Sequence, residues 1–326
     1  MIRDRKTGFR FTAFAIGLCL VVIILGAWTR LVDAGLGCPD WPGCYGFAGI
    51  PMSAERIERA QMRFPDALVE VEKAWPEMVH RYFAGTLGVV ILGLAALAWR
   101  RRKEAEQPLA VPFILLGVVI MQAAFGAWTV TLKLWPQVVT AHLLGGFLTL
   151  SLLWLLCLRL GWRQIHAEGD MARTLARLRP WALIGIVLLV GQIALGGWVS
   201  SNYAALACPD FPTCQGSWWP EADFVHGFNV FQEVGPNYLG GLMYGDGRIA
   251  IHLTHRLGAI LVAVVLGALA WQLWRTPRSW QLAPLGITLA TALLLQILLG
   301  IANVVFSLPL VVATAHNAVA AVLLLV

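Results

Sequence analysis

Four histidines inside apolar runs are the residues of this chain best placed to do chemistry. His80 sits in Glu77-Met78-Val79-His80-Arg81 and His255 in His252-Leu253-Thr254-His255-Arg256. Each is followed by one more histidine, in Thr140-Ala141-His142 and Thr314-Ala315-His316, at separations of 62 and 61 residues. Histidine is costly within a membrane, so one found there is a functional candidate. The competing use is a hydrogen bond tying neighbouring helices together. Four histidines in two matched pairs favour function.

The pairs define the chemistry further. All four histidines are expected three to seven residues into a helix from its outer end, which at 1.5 Å per residue gives one shared depth, roughly 5–10 Å below the boundary. Two imidazoles facing each other from neighbouring helices are what a six-coordinate heme iron requires, and helical bundles hold cofactors in this way. Structural zinc wants four ligands, and each pair offers two. Heme is the better fit. Arg81 and Arg256 follow their histidines directly and suit the propionates of a heme lying edge-up, the alternatives being snorkelling or a salt bridge. Arg30, at the outer end of the first run, stays open between these roles.

Glu77 precedes His80 by three residues, so a helix puts both side chains on one face. A carboxylate there could move a proton or stabilise a developing cation, whereas the plain reading is a helix N-terminal acid. The matching position of the second pair is His252, so the two sites are chemically unequal. One is expected to do chemistry and the other to hold or pass electrons. His255 is the better ligand than His252 by its spacing to His316 and by the arginine after it; the role of His252 stays open.

Cys38/Cys44 and Cys208/Cys214 each bracket a Pro-Asp-aromatic-Pro segment. A local disulfide is the expected outcome in an oxidising compartment, with a copper site or a redox-active dithiol as alternatives. Cys19 and Cys157 fall within apolar runs and read as packing residues. His166 and His226 fall in loops and receive no role. The segment Glu55–Arg63 reads as a surface helix.

The elements that must position these residues are membrane helices. The 326 residues are 59% hydrophobic and 13% charged, with mean hydropathy +0.72. Soluble domains carry about a quarter charged residues, so the chain reads as a polytopic membrane protein. Fifteen tryptophans suit two long water–lipid boundaries. Eight apolar segments are predicted, over about 11–30, 78–99, 109–131, 137–159, 180–201, 249–273, 281–303 and 309–326. The first is too long for a signal-peptide core and lacks a small-residue cleavage site. With the N-terminus in the cytoplasm, cytoplasmic segments collect 15 of the 24 basic residues, among them Arg3, Arg5, Lys6, Arg163 and Arg278, against five acids. That bias fixes the orientation, places both termini inside, and accounts for the net charge of +6 without nucleic acid. The final run Val322–Val326 has no basic tail, as a trimmed chain would.

The chain also repeats itself. Gly26-Ala27-Trp28 with Cys38 and Cys44 recurs 170 residues later as Gly196-Gly197-Trp198 with Cys208 and Cys214, and the offset becomes 175 at His255 and 174 at His316. Gln122/Gly126, Gln192/Gly196 and Gln296/Gly300 share a third spacing, glutamine four residues before glycine. The expected fold is all-α, eight transmembrane helices in two tandem four-helix bundles related by a pseudo-twofold axis near the membrane normal. The halves are residues 1–160 and 161–326.

With these residues in view, the chain resembles the heme A synthase family. Glu77-Met78-Val79-His80-Arg81 matches that family's E-x-x-H-R signature, and His142, His255, His316 and the two cysteine pairs agree with it. The resemblance covers nearly the whole chain. It implies oxidation of the C8 methyl of heme O to a formyl group through hydroxylated intermediates, for cytochrome oxidase assembly. It further implies a heme b cofactor on His255 and His316, substrate heme on His80 and His142, and a Glu77 essential to turnover. The second repeat reads H-x-x-H-R, so that role does not carry over there. The implied location is the bacterial inner membrane, with the heme sites near the periplasmic side. Expected partners are membrane lipid and an electron donor that the residues do not name, with the heme O synthase and a second copy of the chain as further candidates. Two other readings stand beside this one: a di-heme b-type electron carrier, and a heme export or chaperone protein.

Overall fold

The computed structural model describes residues 7–104, 107–161, 169–276 and 282–326. Arg3, Asp4, Arg5, Lys6, Glu106, Arg163, His166, Glu168 and Arg278 lie outside them. Among the described residues the chain is helical, without strands: α1 (Phe9–Leu31), α2 (Ala54–Arg63), α3 (Val71–Arg100), α4 (Ala110–Thr131), α5 (Pro136–Arg159), α6 (Gly169–Ser201), α7 (Phe224–Gly227), α8 (Gly245–Arg275), α9 (Leu282–Val305) and α10 (Leu310–Leu325). Seven of these (α1, α3, α4, α5, α6, α8 and α9) are long and apolar enough to cross a membrane, and α10 is a shorter apolar helix. The chain is a membrane protein.

Helices α3, α6 and α8 outrun their apolar segments. Glu72, Lys73, Asp246 and Arg248 belong to the first turns of α3 and α8, because a helix keeps its internal hydrogen bonds whether its side chains face lipid or water. The histidines therefore sit at unequal distances from their helix starts, a correction to the expected three to seven residues. His80 is nine residues past Val71 and His255 ten past Gly245, whereas His142 and His316 are each six past the start of α5 and α10. The Pro76 carbonyl inside α3 accepts a hydrogen bond of 3.1 Å from the buried Thr29 hydroxyl of α1, which ties the two helices together.

Packing divides the chain into two units, Met1–Trp162 with Glu233–Leu242, and Arg163–Gln232 with Met243–Val326. In the first, α1 packs on α3 and α5, and α4 packs on the same two, closing a four-helix ring. The Tyr238 N–H donates to the Lys133 carbonyl at 3.0 Å, and its buried side chain fixes the segment Glu233–Leu242 there. Beyond α4, Lys133 and Leu134 both take left-handed backbone, reversing the chain so that Pro136 opens α5 at a position where its missing N–H costs nothing. In the second unit α8 packs on α6, α7 and α9, and α10 on α9 and α6. Ser307 and Leu308 make the same kind of left-handed reversal between α9 and α10.

Outside the helical ring of the first unit, Cys38, Cys44, Tyr45, Ile50, Ala60, Ala74 and Met78 form one buried apolar cluster. It joins the first outer loop, surface helix α2 and the start of α3. Helix α2 is N-capped by Ser53, whose hydroxyl accepts the Arg56 N–H, and carries an exposed Glu55–Arg59 pair. Through Ala74 and Met78 the cluster fixes the loop against the turn of α3 that carries Glu77.

Candidate functional site

In the first unit α3 and α5 bring the rings of His80 and His142 together, edge to face. Their ring centres are 6.5 Å apart and their planes lie at 86°. Two imidazoles on opposite sides of one metal stand about 6 Å apart centre to centre, from two metal–nitrogen bonds of about 2 Å and about 1 Å within each ring. Spacing and donor type therefore suit a six-coordinate iron. Both Nδ1 atoms are buried and have no hydrogen-bond partner, as has that of His316. Buried ring nitrogens of this kind ordinarily have partners, and their lack of one marks a position for a ligand.

Glu77 shares the outer turn of α3 with His80 and is 5% exposed. Its Oε2 accepts the Cys38 N–H at 2.9 Å, and its Oε1 forms a short ion pair with Arg81 one turn on. Arg81 also donates to the carbonyls of Asp40 at 2.9 Å, Pro42 at 3.3 Å and Gly43 at 2.5 Å. The carboxylate is thus held from two sides, by a backbone donor and by a guanidinium that is itself anchored in the cysteine loop. Gly37 makes this approach possible. A Cβ there would overlap the Lys73 carbonyl of α3, so any side chain would push the Cys38 N–H off Glu77.

In the second unit His255 (α8) has His316 (α10) and His252 as its electrostatic neighbours. His252 is buried, and its Nδ1 lies 2.9 Å from the Ala204 carbonyl. Arg256 donates to the carbonyls of Thr213 at 2.7 Å, Asp210 at 2.8 Å and Cys208 at 3.0 Å. Its buried Nε has no partner. Asp210 turns the loop by accepting the N–H groups of Gln215 and Gly216 and a short bond from the Thr213 hydroxyl. Those donors, the hydroxyl foremost, pull its carboxyl down to about 2. Arg30 pairs with Asp33 at 3.3 Å. The His226 ring lies 2.5 Å from Asp223, at the start of α7.

Both cysteine pairs are disulfides, Cys38–Cys44 and Cys208–Cys214. Their sulfurs are therefore not available as copper ligands. Among the described residues no group of three or more His, Cys, Asp and Glu is placed to hold a metal ion. Cys19 and Cys157 lie buried within the helices and outside the disulfides, as packing residues do.

The family model of the COX15-CtaA cytochrome oxidase assembly proteins matches residues 9–326. A heme A synthase of Shewanella oneidensis is 47% identical over 94% of this chain and 90% of its own length. Heme A synthases of Rhizorhabdus wittichii and Caulobacter sp. are each 28% identical, over 94% and 98% of this chain and 88% and 94% of their own lengths.

Proposed function

Because the chain belongs to the COX15-CtaA family of cytochrome oxidase assembly proteins, we infer that it is a heme A synthase, a membrane-bound oxidoreductase whose substrate is heme O. The observation that carries the reading is the His80–His142 couple, 6.5 Å between ring centres, with the fixed carboxylate of Glu77 on the same helix turn. His80 and His142 hold the substrate heme, and the C8 methyl is oxidised to a formyl group through hydroxylated products. His255 and His316 hold a heme b, which supplies electron transfer to and from the reacting site. Glu77 exchanges the protons that each oxidation of the methyl carbon releases. It is suited to this because Arg81 and the Cys38 N–H keep its position fixed while one oxygen changes partners. Arg81 and Arg256 face the propionates, Arg256 through its unpaired Nε. Their other N–H groups brace the cysteine loops.

This reading places eight crossings in two tandem halves, 1–160 for the substrate heme and 161–326 for heme b, related by a pseudo-twofold axis. The 170–175-residue offsets between matching residues and the four-helix ring in the first unit support it. The protein sits in the bacterial inner membrane with its termini in the cytoplasm and its heme sites toward the periplasm. It takes electrons from a donor in the same membrane, and receives heme O from the enzyme that makes it. A di-heme electron carrier would have no use for a braced carboxylate beside one iron only.

Extraction of the purified protein's pigments tests the assignment. Heme O or heme A beside heme b is expected, and heme b alone would favour the electron carrier. A second expectation concerns Gly26 of α1. A Cβ at Gly26 would lie 3.0 Å from His80 Cε1, so Gly26→Val drives the ring out of place. Overpacking of this kind costs about 1–3 kcal/mol, or roughly 5- to 150-fold in heme affinity at the first site. Heme titration of the variant measures it, and unchanged affinity would remove His80 from the ligand set.

A further inference from the structure

Between α3 and α4 lies a groove of about 320 Å³, lined by Leu92, Ala95, Ala96 and Trp99 of α3 and by Phe113 and Leu116 of α4. Every lining residue is apolar, and the volume falls within that of ligand pockets, about 300–1,000 Å³. Trp99 and Phe113 meet edge to face at 6.1 Å and close its far end. Arg102 lies over the Trp99 ring at 4.5 Å and donates to the Trp99 carbonyl at 2.9 Å, which fixes that end.

The second half closes the matching seam. An offset of 175 pairs Ala95, Ala96 and Trp99 of α3 with Ala270, Trp271 and Trp274 of α8, and one of 174 pairs Pro112 of α4 with Gly286 of α9. A Cβ on Gly286 would lie 2.6 Å from the Ala270 carbonyl oxygen and 2.7 Å from the Trp274 nitrogen, so α9 rests directly on α8 there. Pro112 carries a Cβ and a ring, and α4 cannot come as near to α3. The outward side differs as well. Trp271 packs against Trp274 with ring centres 5.2 Å apart, where the exposed Ala96 presents a single methyl group.

Heme O carries a long isoprenoid tail where heme b has a vinyl group. The tail leaves the porphyrin from a pyrrole across the ring from one that bears a propionate. With the propionates at Arg81, the tail points along α3 away from the outer loops. The groove begins 12 residues past His80, about 18 Å along the helix. The tail is about as long as the acyl chains of one leaflet, about 15 Å, and starts from the rim of the porphyrin, so it ends among Leu92, Ala95 and Ala96. On the way the seam is thin at Gly88, where even an added Cβ would stay 3.5 Å from Val119. We propose that the α3–α4 groove seats the isoprenoid tail of heme O, and that Gly286 and Trp271 close its counterpart in the half whose heme has no tail. The proposal rests on the reading of His80 and His142 as the heme O site. It makes the groove the element that tells heme O from heme b.

Titration of heme O and of heme b into the first site, followed by absorbance, tests this in protein purified from cells that make no heme O. Heme O should bind about tenfold or more tightly than heme b. Ala96→Trp gives the first half the side chain that the second half has at that position, and it faces outward, where the fold tolerates it. It should weaken heme O about tenfold and leave heme b unchanged, as expected when the space for the tail is filled. Leu116→Trp fills the groove from α4 and should do the same. Heme b serves as the control for folding, because it needs the histidines and not the groove. Equal affinities for the two hemes in the unaltered protein, or an equal fall of both in the two variants, would overturn the proposal. A groove that holds only a lipid acyl chain would leave heme O affinity unchanged in both variants, and would overturn it too. If His80→Ala weakens neither heme, the heme-site reading beneath the proposal fails instead.

Discussion

Glu77→Gln yields a protein that keeps its hemes and makes almost no formyl product. The amide still accepts a hydrogen bond from the Cys38 N–H or Arg81, so the outer turn of α3 and the cysteine loop stay in register. What it cannot do is take up and return a proton. Positioned acid–base groups contribute about 10²- to 10⁴-fold to rate, and formyl production should fall by that factor. Glu77→Ala is a poorer probe. It removes the acceptor of both Arg81 and the Cys38 N–H, so the loop contact and the proton-exchanging group are lost together. Chromatography of hemes extracted from the Gln variant should find heme O bound and heme A missing. Full heme A yield would remove Glu77 from the chemistry.

The second large effect belongs to the other couple. His255→Ala and His316→Ala should each lose one heme from the loaded protein and, with it, turnover, while His80 and His142 still bind substrate. Removing one of two axial ligands leaves an imidazole that binds iron alone, and the bis-imidazole spectrum of that site disappears. His252→Ala should behave differently, because its ring nitrogen is engaged with the Ala204 carbonyl just beyond the end of α6. Its loss removes one hydrogen bond, about 0.5–1.5 kcal/mol of stability, with the heme spectrum intact, because the Ala204 carbonyl still accepts the Ala207 N–H. A pyridine hemochrome assay of the three variants separates these outcomes. Equal heme content in all three would leave His255 and His316 without the role assigned here.

What the residues alone disclosed and what they hid divide along a physical line. The four histidines, Glu77 and the cysteine pairs stand out because polar and reactive side chains are expensive in apolar surroundings. Their types and spacing therefore carry information before any coordinates. The commitment of Arg81 and Arg256 to carbonyls of the cysteine loops was not legible. A backbone carbonyl has no residue type, and the contact from Arg81 to Asp40 spans 41 positions. The Cys38 N–H on Glu77 was hidden for the same reason, although Gly37, which lets the loop approach α3, was visible as a glycine without an evident purpose. The true starts of α3, α6 and α8 were obscured because hydropathy reports where lipid ends, and these helices continue past that point on polar turns.

The central claim is that the first imidazole couple, attended by Glu77, is where heme O becomes heme A. Its most direct test is the heme content of membranes from cells making this chain beside a heme O-producing enzyme and lacking any other heme A synthase. The account predicts heme A in those membranes, and heme O without heme A when His142 is replaced by alanine. Heme O with no heme A from the unaltered chain would contradict it.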